Sequence, residues 1–266
     1  MIDYLDLSPL KEPLIFDTHA HYDDEAFDID RHELISSLPE NGVSLVLNPG
    51  CNLNSSKNVV AISEKYDFVY AAVGVHPHDA DEMDDSSIDT LRSLASAKKV
   101  MAIGEIGLDY HYDFSPREIQ RQRFYEQMCL ARELSLPVII HEREACEDCL
   151  NIVTQFSDLR GVYHCYSGSW ETAKIILKQG WYISFTGAIT FKNARKSHEV
   201  ITNMPLDRLM IETDSPYLAP VPMRGKRNSS LNLPYIAEKI GELRGMTTEE
   251  VAALTMENGK RFFGIK

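Results

Sequence analysis

Leu14-Ile-Phe-Asp-Thr-His19-Ala-His21 is an apolar run that ends in two histidines, and similar runs recur through the chain. Those at Leu14–His19, Val43–Asn48, Val69–His76, Val100–Glu105, Pro137–His141, Gly161–His164, Trp181–Phe185 and Arg208–Asp214 read as strands. Val69-Tyr-Ala-Ala-Val-Gly-Val75 and Pro137-Val-Ile-Ile140 are apolar throughout rather than alternating, the pattern of parallel strands covered on both faces. Helix-length segments separate the runs. Ser115-Pro-Arg-Glu118 predicts an N-cap serine, a first-turn proline and a capping box, and Phe124, Met128, Ala131 and Leu134 continue that helix along one face. Thr247-Thr-Glu-Glu250 predicts a second capping box at the start of the final helix. Eight strands alternating with helices give a parallel α/β fold, as an open sheet or a closed barrel.

The ionisable residues choose between the two. His19 and His21 close the first run, Glu105 the fourth, His141 the fifth, His164 the sixth and Asp214 the eighth. An open sheet spreads its strand ends along a line, whereas a barrel gathers them on the face where active sites are built. The expected fold is therefore a TIM-type (β/α)8 barrel. The length of 266 residues sits close to the typical ~250 for that fold. No internal repeat, low-complexity segment or flexible linker divides the chain, so residues 1–266 are read as a single domain.

His19 and His21 are two apart, which on a strand turns both imidazoles to one side. Four histidines with two carboxylates suit zinc, and the carboxylate oxygens also suit magnesium or manganese. Six ligands exceed the needs of one tetrahedral ion. A carboxylate bridging two divalent ions explains the surplus, and Glu105, halfway round the barrel, is the natural bridge. Two such ions would activate a bridging water to hydroxide and clamp the oxygens of an in-line displacement. Asp214, at the lip of the last strand, is placed to orient the water and accept its proton, so Asp214 and Glu105 are the expected catalytic residues. Any one histidine is more often a hydrogen-bonded core or surface residue; the argument rests on the whole set meeting at strand ends. His76 and His78 follow the third strand and can line the site without binding metal, while His111 is a weaker candidate. His32 and His198 read as surface residues. Arg143, Arg224, Lys226 and Arg227 are candidate phosphate contacts, although a basic run is commonly just a solvated loop.

Composition sets the outer bounds. Hydrophobic residues make up 44% and charged residues 25%, as in ordinary globular proteins, so disorder is not expected. The stretch Met1-Ile-Asp-Tyr-Leu-Asp6 is acidic and lacks a long apolar core, unlike a signal peptide, and no apolar run is long enough to span a membrane. Five scattered cysteines, odd in number, argue against a disulfide framework and for the cytoplasm. Cys146 and Cys149 form a C-x-x-C in a helix-like stretch and read as half-buried thiols. A net charge of −13 excludes binding to a phosphate polymer by overall attraction, so any positive charge for such a substrate must be local. Oligomeric state is open, with a monomer compatible.

The chain resembles the TatD family of metal-dependent deoxyribonucleases, within the amidohydrolase-like barrels. The matching segments run in family order: Phe16-Asp-Thr-His-Ala-His-Tyr-Asp-Asp24, Gly74-Val-His-Pro-His78, Gly104-Glu-Ile-Gly-Leu-Asp-Tyr110, Ile140-His-Glu-Arg-Glu-Ala145, His164-Cys-Tyr-Ser-Gly168, Ile211-Glu-Thr-Asp-Ser-Pro216 and Arg224-Gly-Lys-Arg-Asn228. The resemblance implies that His19, His21, Glu105 and Asp214 hold one ion and Glu105, His141 and His164 the other. It implies a DNA substrate cleaved at phosphodiester bonds from the 3′ end, with single strands preferred. Two departures bear on substrate choice. Ser229-Ser230 follows Asn228 where the family usually has Glu-Pro, and Glu142 follows His141 where serine is frequent. The competing reading is a two-metal amidohydrolase or lactonase; many of that group bridge with a carboxylated lysine, whereas the fourth strand here ends in Glu105. A non-catalytic metal-binding protein is the reading from a different class.

Overall fold

The computed structural model describes residues 15–266; Leu14 and the acidic stretch Met1–Asp6 lie outside them. Eight strands form: β1 Ile15–Asp17, β2 Val43–Pro49, β3 Val69–Val73, β4 Val100–Asp109, β5 Val138–Arg143, β6 Gly161–Tyr163, β7 Tyr182–Phe185 and β8 Leu209–Ile211. Each pairs in parallel with the next, in chain order. Helices on the outside alternate with them: α1 Arg31–Ser37, α2 Leu53–Lys65, α3 Ser87–Ala95, α4 Arg117–Leu134, α5 Cys146–Val153, α6 Trp170–Lys178 and α7 Arg195–Asn203. Two more, α8 Leu233–Arg244 and α9 Thr248–Phe263, follow the last strand. This is the TIM-type (β/α)8 barrel.

The seam between β8 and β1 is closed just beyond the strands themselves. Thr18 donates to the Ile211 carbonyl through both its backbone N–H (3.3 Å) and its hydroxyl (2.9 Å). The Asp214 N–H donates to His19 O at 2.9 Å and the His21 N–H to Ser215 O at 2.8 Å, with Ala20 bridging Ser215 in parallel. Asp17, fully buried, binds the same seam. Its carboxylate accepts from the Thr213 N–H (2.9 Å), the Thr213 hydroxyl (2.6 Å) and the Ser230 hydroxyl (2.6 Å). Burial pushes Asp17 up to about 7 even against those three donors. The departure at Ser230 therefore serves a buried structural bond.

The barrel interior takes one side chain from every strand: Phe16, Leu47, Ala72, Ala102, Ile139, Val162, Tyr182 and Met210. Small residues on β3 and β4 leave room for the large Phe16 and Tyr182, so the layer fills by alternating volumes. Met256, Phe262, Phe263 and Ile265, from α9 and the chain end, join this cluster. Phe263 meets Phe16 at 5.8 Å between ring centroids and Phe262 meets Tyr182 at 5.1 Å. Gly259 permits the approach, since a Cβ there would meet the Phe16 ring at 2.6 Å. The predicted capping box at Thr247 and Glu250 starts this helix. Phe262→Ala should cost about 3–5 kcal/mol, read as a lower urea midpoint, because it opens a cavity where α9 packs against the barrel. A loss below about 1 kcal/mol would show that the helix can collapse onto the gap.

Two local expectations are corrected. Glu105 and His141 do not end their strands: β4 continues to Asp109 and β5 to Arg143, and the register between them shifts between Ile103 and Ile106, around Glu105. Ser115 does not cap α4. The helix begins after Pro116 without a side-chain cap, because the buried Ser115 hydroxyl accepts from the Asp81 N–H (3.1 Å) and donates to His78 O (2.9 Å). The apolar face of that helix is as predicted, with Phe124, Met128 and Ala131 buried and Leu134 packed beside them. Cys146 and Cys149 are free thiols on α5, Cys149 buried and Cys146 half-buried. His32 is exposed, and His198 is half-buried with Nε2 2.7 Å from Ile189 O.

Candidate metal centre

The strand ends bring His19, His21, Glu105, His141, His164 and Asp214 together, in overlapping donor groups that also draw in Cys51 and His76. On one side His19 Nε2 and His21 Nε2 lie 3.1 Å apart. Glu105 Oε2 is 3.3 Å from His19 Nε2 and 3.6 Å from His21 Nε2. Asp214 Oδ1 is 3.3 Å from His21 Nε2 and 3.8 Å from His19 Nε2. Four donors held at metal–ligand distances of about 2.1 Å in a tetrahedron would stand about 3.4 Å apart, so this half has the dimensions of an ion site. On the other side Glu105 offers its second oxygen. Oε1 is 2.8 Å from His141 Nδ1 and 2.7 Å from His164 Nε2, and those two nitrogens are 3.3 Å apart. The His19 and His164 rings stack at 4.1 Å between centroids, placing the halves side by side.

The two acids, Glu105 and Asp214, are held ionised, while the same carboxylates raise His21, His141 and His164 against the opposing effect of burial, so a bound ion would displace protons from those rings. Burial pushes the Glu105 carboxyl up, but His164, His76 and His19 with the hydrogen bond to His141 outweigh it and hold it well below the usual range. For Asp214, burial acts the same way, and the bond to His21 with the charges of His19, His21 and His164 wins. Both are carboxylates at neutral pH.

Residues outside the predicted set fix the imidazoles. Asp109 Oδ2 lies 3.2 Å from His141 Nε2 and 3.0 Å from His78 Nε2. Burial raises the Asp109 carboxyl, yet bonds from His141, His78 and the Tyr112 N–H hold it well below its ordinary value. A carboxylate only accepts, so Nε2 of His141 donates to Asp109 and, with no ion bound, Nδ1 donates to Glu105; an ion at Nδ1 would displace that second proton while Asp109 keeps the first on Nε2. Glu212 does the corresponding work for His164. Its Oε1 is 3.3 Å from His164 Nδ1, and it is itself held by the Cys165 N–H (2.6 Å) and the Ser184 hydroxyl (2.6 Å). For His21 the outer partner is Cys51, whose Sγ is 3.6 Å from Nδ1. Asp109 and Glu212 both sit inside segments that the sequence singles out, but nothing local marks them as orienting groups.

His76 is a different case. Its Nδ1 accepts the His78 N–H at 3.1 Å, so a neutral ring carries its proton on Nε2, which faces Glu105 Oε1 at 3.6 Å. That nitrogen is a donor rather than a ligand. Gly107, paired with His141 across β4 and β5, has φ +147°, and a Cβ there would lie 1.9 Å from the His141 carbonyl oxygen. Only glycine lets these strands approach at the ligand.

Lys226 and Arg227 line an open cleft of about 740 Å³ with Asp24, Asp28 and Tyr217. Arg227 is committed to Asp30, at 2.7 and 2.5 Å, and lies over the Phe27 ring. Arg224 lies over Phe191 at 4.6 Å, and Arg143 over Tyr112 at 4.8 Å. Glu142 accepts the Ala145 N–H at 2.9 Å, which gives that departure a local role in the turn after β5. His111 is exposed and faces Glu144 at 2.8 Å. Among the described residues no helix is long and apolar enough to cross a membrane.

The chain matches the TatD related DNase family over residues 16–264. It is 44% identical over 254 residues to the metal-dependent hydrolase YabD of Bacillus subtilis (strain 168), covering 95% of this chain and all of the relative. It is 36% identical to the 3′-5′ ssDNA/RNA exonuclease TatD of Erwinia tasmaniensis, over 94% of this chain and 100% of that one. The crystal structure of YJJV, a TatD homologue from Escherichia coli K12, superposes with a TM-score of 0.89 at 29% identity, covering 96% of this chain and 99% of that one. The chain belongs to the TatD-related family of metal-dependent hydrolases.

Proposed function

We propose that this protein is a two-metal phosphodiesterase that shortens single-stranded DNA from the 3′ end, acting as one barrel domain in the cytoplasm. The observation that carries the two-metal reading is the division of Glu105: Oε2 faces His19 and His21 while Oε1 faces His141 and His164. One carboxylate addressing two donor sets is the arrangement of a bridge. Bound there, a pair of divalent ions (zinc, magnesium or manganese) would supply Lewis-acid charge and lower the pKa of water.

The chain's own groups do the rest. His19, His21 and Asp214 hold one half and His141 and His164 the other, with tautomers set by Asp109 and Glu212. Asp214 accepts the proton of the attacking water. His76 presents an Nε2–H to an anionic oxygen beside Glu105. Arg143, Arg224 and Lys226 offer positive charge to the phosphate backbone. Arg227, held by Asp30, fixes the loop that carries Arg224 and Lys226, so its contact with substrate is secondary to that anchoring. The single-strand and 3′ preference draws support from the exonuclease name of the Erwinia relative.

A panel on metal-defined protein tests this: end-labelled single-stranded DNA, duplex DNA, RNA, a small phosphodiester and a lactone. Progressive shortening of the single strand, abolished by EDTA, is expected. Rapid lactone turnover with no strand cleavage would instead favour the amidohydrolase reading. Neutralising Arg224 and Lys226 should weaken DNA binding and lower its salt slope by about 2, with metal content intact.

A further inference from the structure

Beside His141, the loop after β4 presents Tyr112 and Phe114 to solvent, 49% and 65% exposed, and holds them together. Their rings stack at 5.3 Å between centroids with 27° between planes. Single exposed aromatics are common on soluble proteins, but a stacked pair leaves a flat apolar face in water at an avoidable cost. The rings also continue inward. His78 meets Phe114 edge-on at 4.9 Å and Tyr112 at 5.3 Å, His76 meets His78 at 4.2 Å, and His76 meets His141 at 4.3 Å. A row of ring contacts thus links the rim to the donor set.

The loop carrying the pair is fixed before anything binds. Asp109 Oδ1 accepts the N–H groups of both His111 and Tyr112 at 2.9 Å. The buried Gln120 side chain spans the loop, accepting from the Asp109 N–H (2.9 Å) and donating to Asp109 O (3.1 Å) and Ser115 O (2.8 Å). Ser115 is tied in turn to His78 and Asp81. Asp109 therefore orients His141 and places Tyr112, so the platform and the centre share one anchor. Arg143 adds a guanidinium over Tyr112.

We infer that Tyr112 and Phe114 form a stacking platform for a nucleobase of the substrate, beside the nucleotide whose phosphate meets the metal centre. This rests on the nucleic-acid reading above and adds where a base is held. Stacking tolerates every base because each has a π-face, so the site contributes affinity without sequence choice. It also favours single strands, whose bases are free to leave their own stack.

The test compares Tyr112→Leu/Phe114→Leu with Tyr112→Trp/Phe114→Trp in the metal-loaded protein. Leucine keeps apolar bulk and removes the ring face; tryptophan keeps the face. Two substrates are used: a single-stranded oligodeoxynucleotide, and one whose terminal nucleotides are replaced by base-free propanediol phosphate spacers. On the natural strand the leucine pair should raise KM roughly 10- to 100-fold with kcat within about threefold, and the tryptophan pair should stay near wild type. On the base-free strand the leucine pair and wild type should have the same KM. A leucine-pair KM within about twofold of wild type on the natural strand overturns the platform, as does an equal loss on the base-free strand. Wild-type protein that cuts no strand at all while hydrolysing a small phosphodiester overturns the nucleic-acid reading, and the platform with it.

Discussion

Glu105→Ala is expected to lower the affinity of both halves of the centre for metal and to reduce turnover by roughly 10³-fold or more. The reason is geometric. One half otherwise relies on His19 and His21 after β1 with Asp214 after β8, the other on His141 and His164 from β5 and β6, and Glu105 has one oxygen facing each. Its carboxylate is also nearly sealed from water, so removing it takes away the one negative charge that faces both of the stacked rings, His19 and His164. Two cations would then be held against mutual repulsion by neutral imidazoles and Asp214 alone. His76→Ala is the contrast. Its Nε2 faces Glu105 as a donor, so metal content should be kept and activity should fall by no more than about 10- to 100-fold, the range for a group outside the ligands. Elemental analysis after dialysis, with turnover on one strand substrate, reads both variants. Wild-type metal content in Glu105→Ala would show that the bridge is misassigned.

Much of this cluster was legible because its residues follow apolar runs that the chain advertises locally. Residues 69–73 and 138–140 are strand for the same reason that they read as such: both faces are covered, so neither alternates. Once eight such runs are accepted, barrel closure brings His19 and Asp214 together without further information. The supporting groups were not legible, and the reason is also physical. Asp109 and Glu212 act through partners 32 and 48 positions away, and the carboxylate of neither is distinguished in sequence from a surface acid. Ser115 has a good capping signature, but its buried hydroxyl is engaged by the Asp81 N–H and His78 O, more than thirty positions earlier in the chain, and so is not free to cap the helix. Arg227 reads as a phosphate contact until the fold sets Asp30, 197 positions away, against it. A charge run shows where cations are, not which of them are already paired.

Asp214→Asn should separate proton transfer from metal binding at the same centre. Asp214 is the most exposed donor of its half: its side chain is 16% exposed, against 9% for His21, 4% for Glu105 and 0% for His19. It stands after β8 with φ +54°, a left-handed conformation that aspartate and asparagine both tolerate, so the substitution adds no backbone strain. Its N–H bond to His19 O and its carbonyl bond from the Tyr217 N–H are main-chain contacts and survive. The asparagine carbonyl can still occupy the position of Oδ1 near His21, so most of the metal should be retained. What is lost is a basic oxygen at the water-facing edge of the centre. If Asp214 takes the proton of the attacking water, kcat should fall by about 10²- to 10⁴-fold with little change in KM. Retained metal with kcat within about tenfold of wild type would confine Asp214 to a ligand's role. Loss of metal matching that in Glu105→Ala would mean that its negative charge, rather than its proton affinity, is what the centre requires.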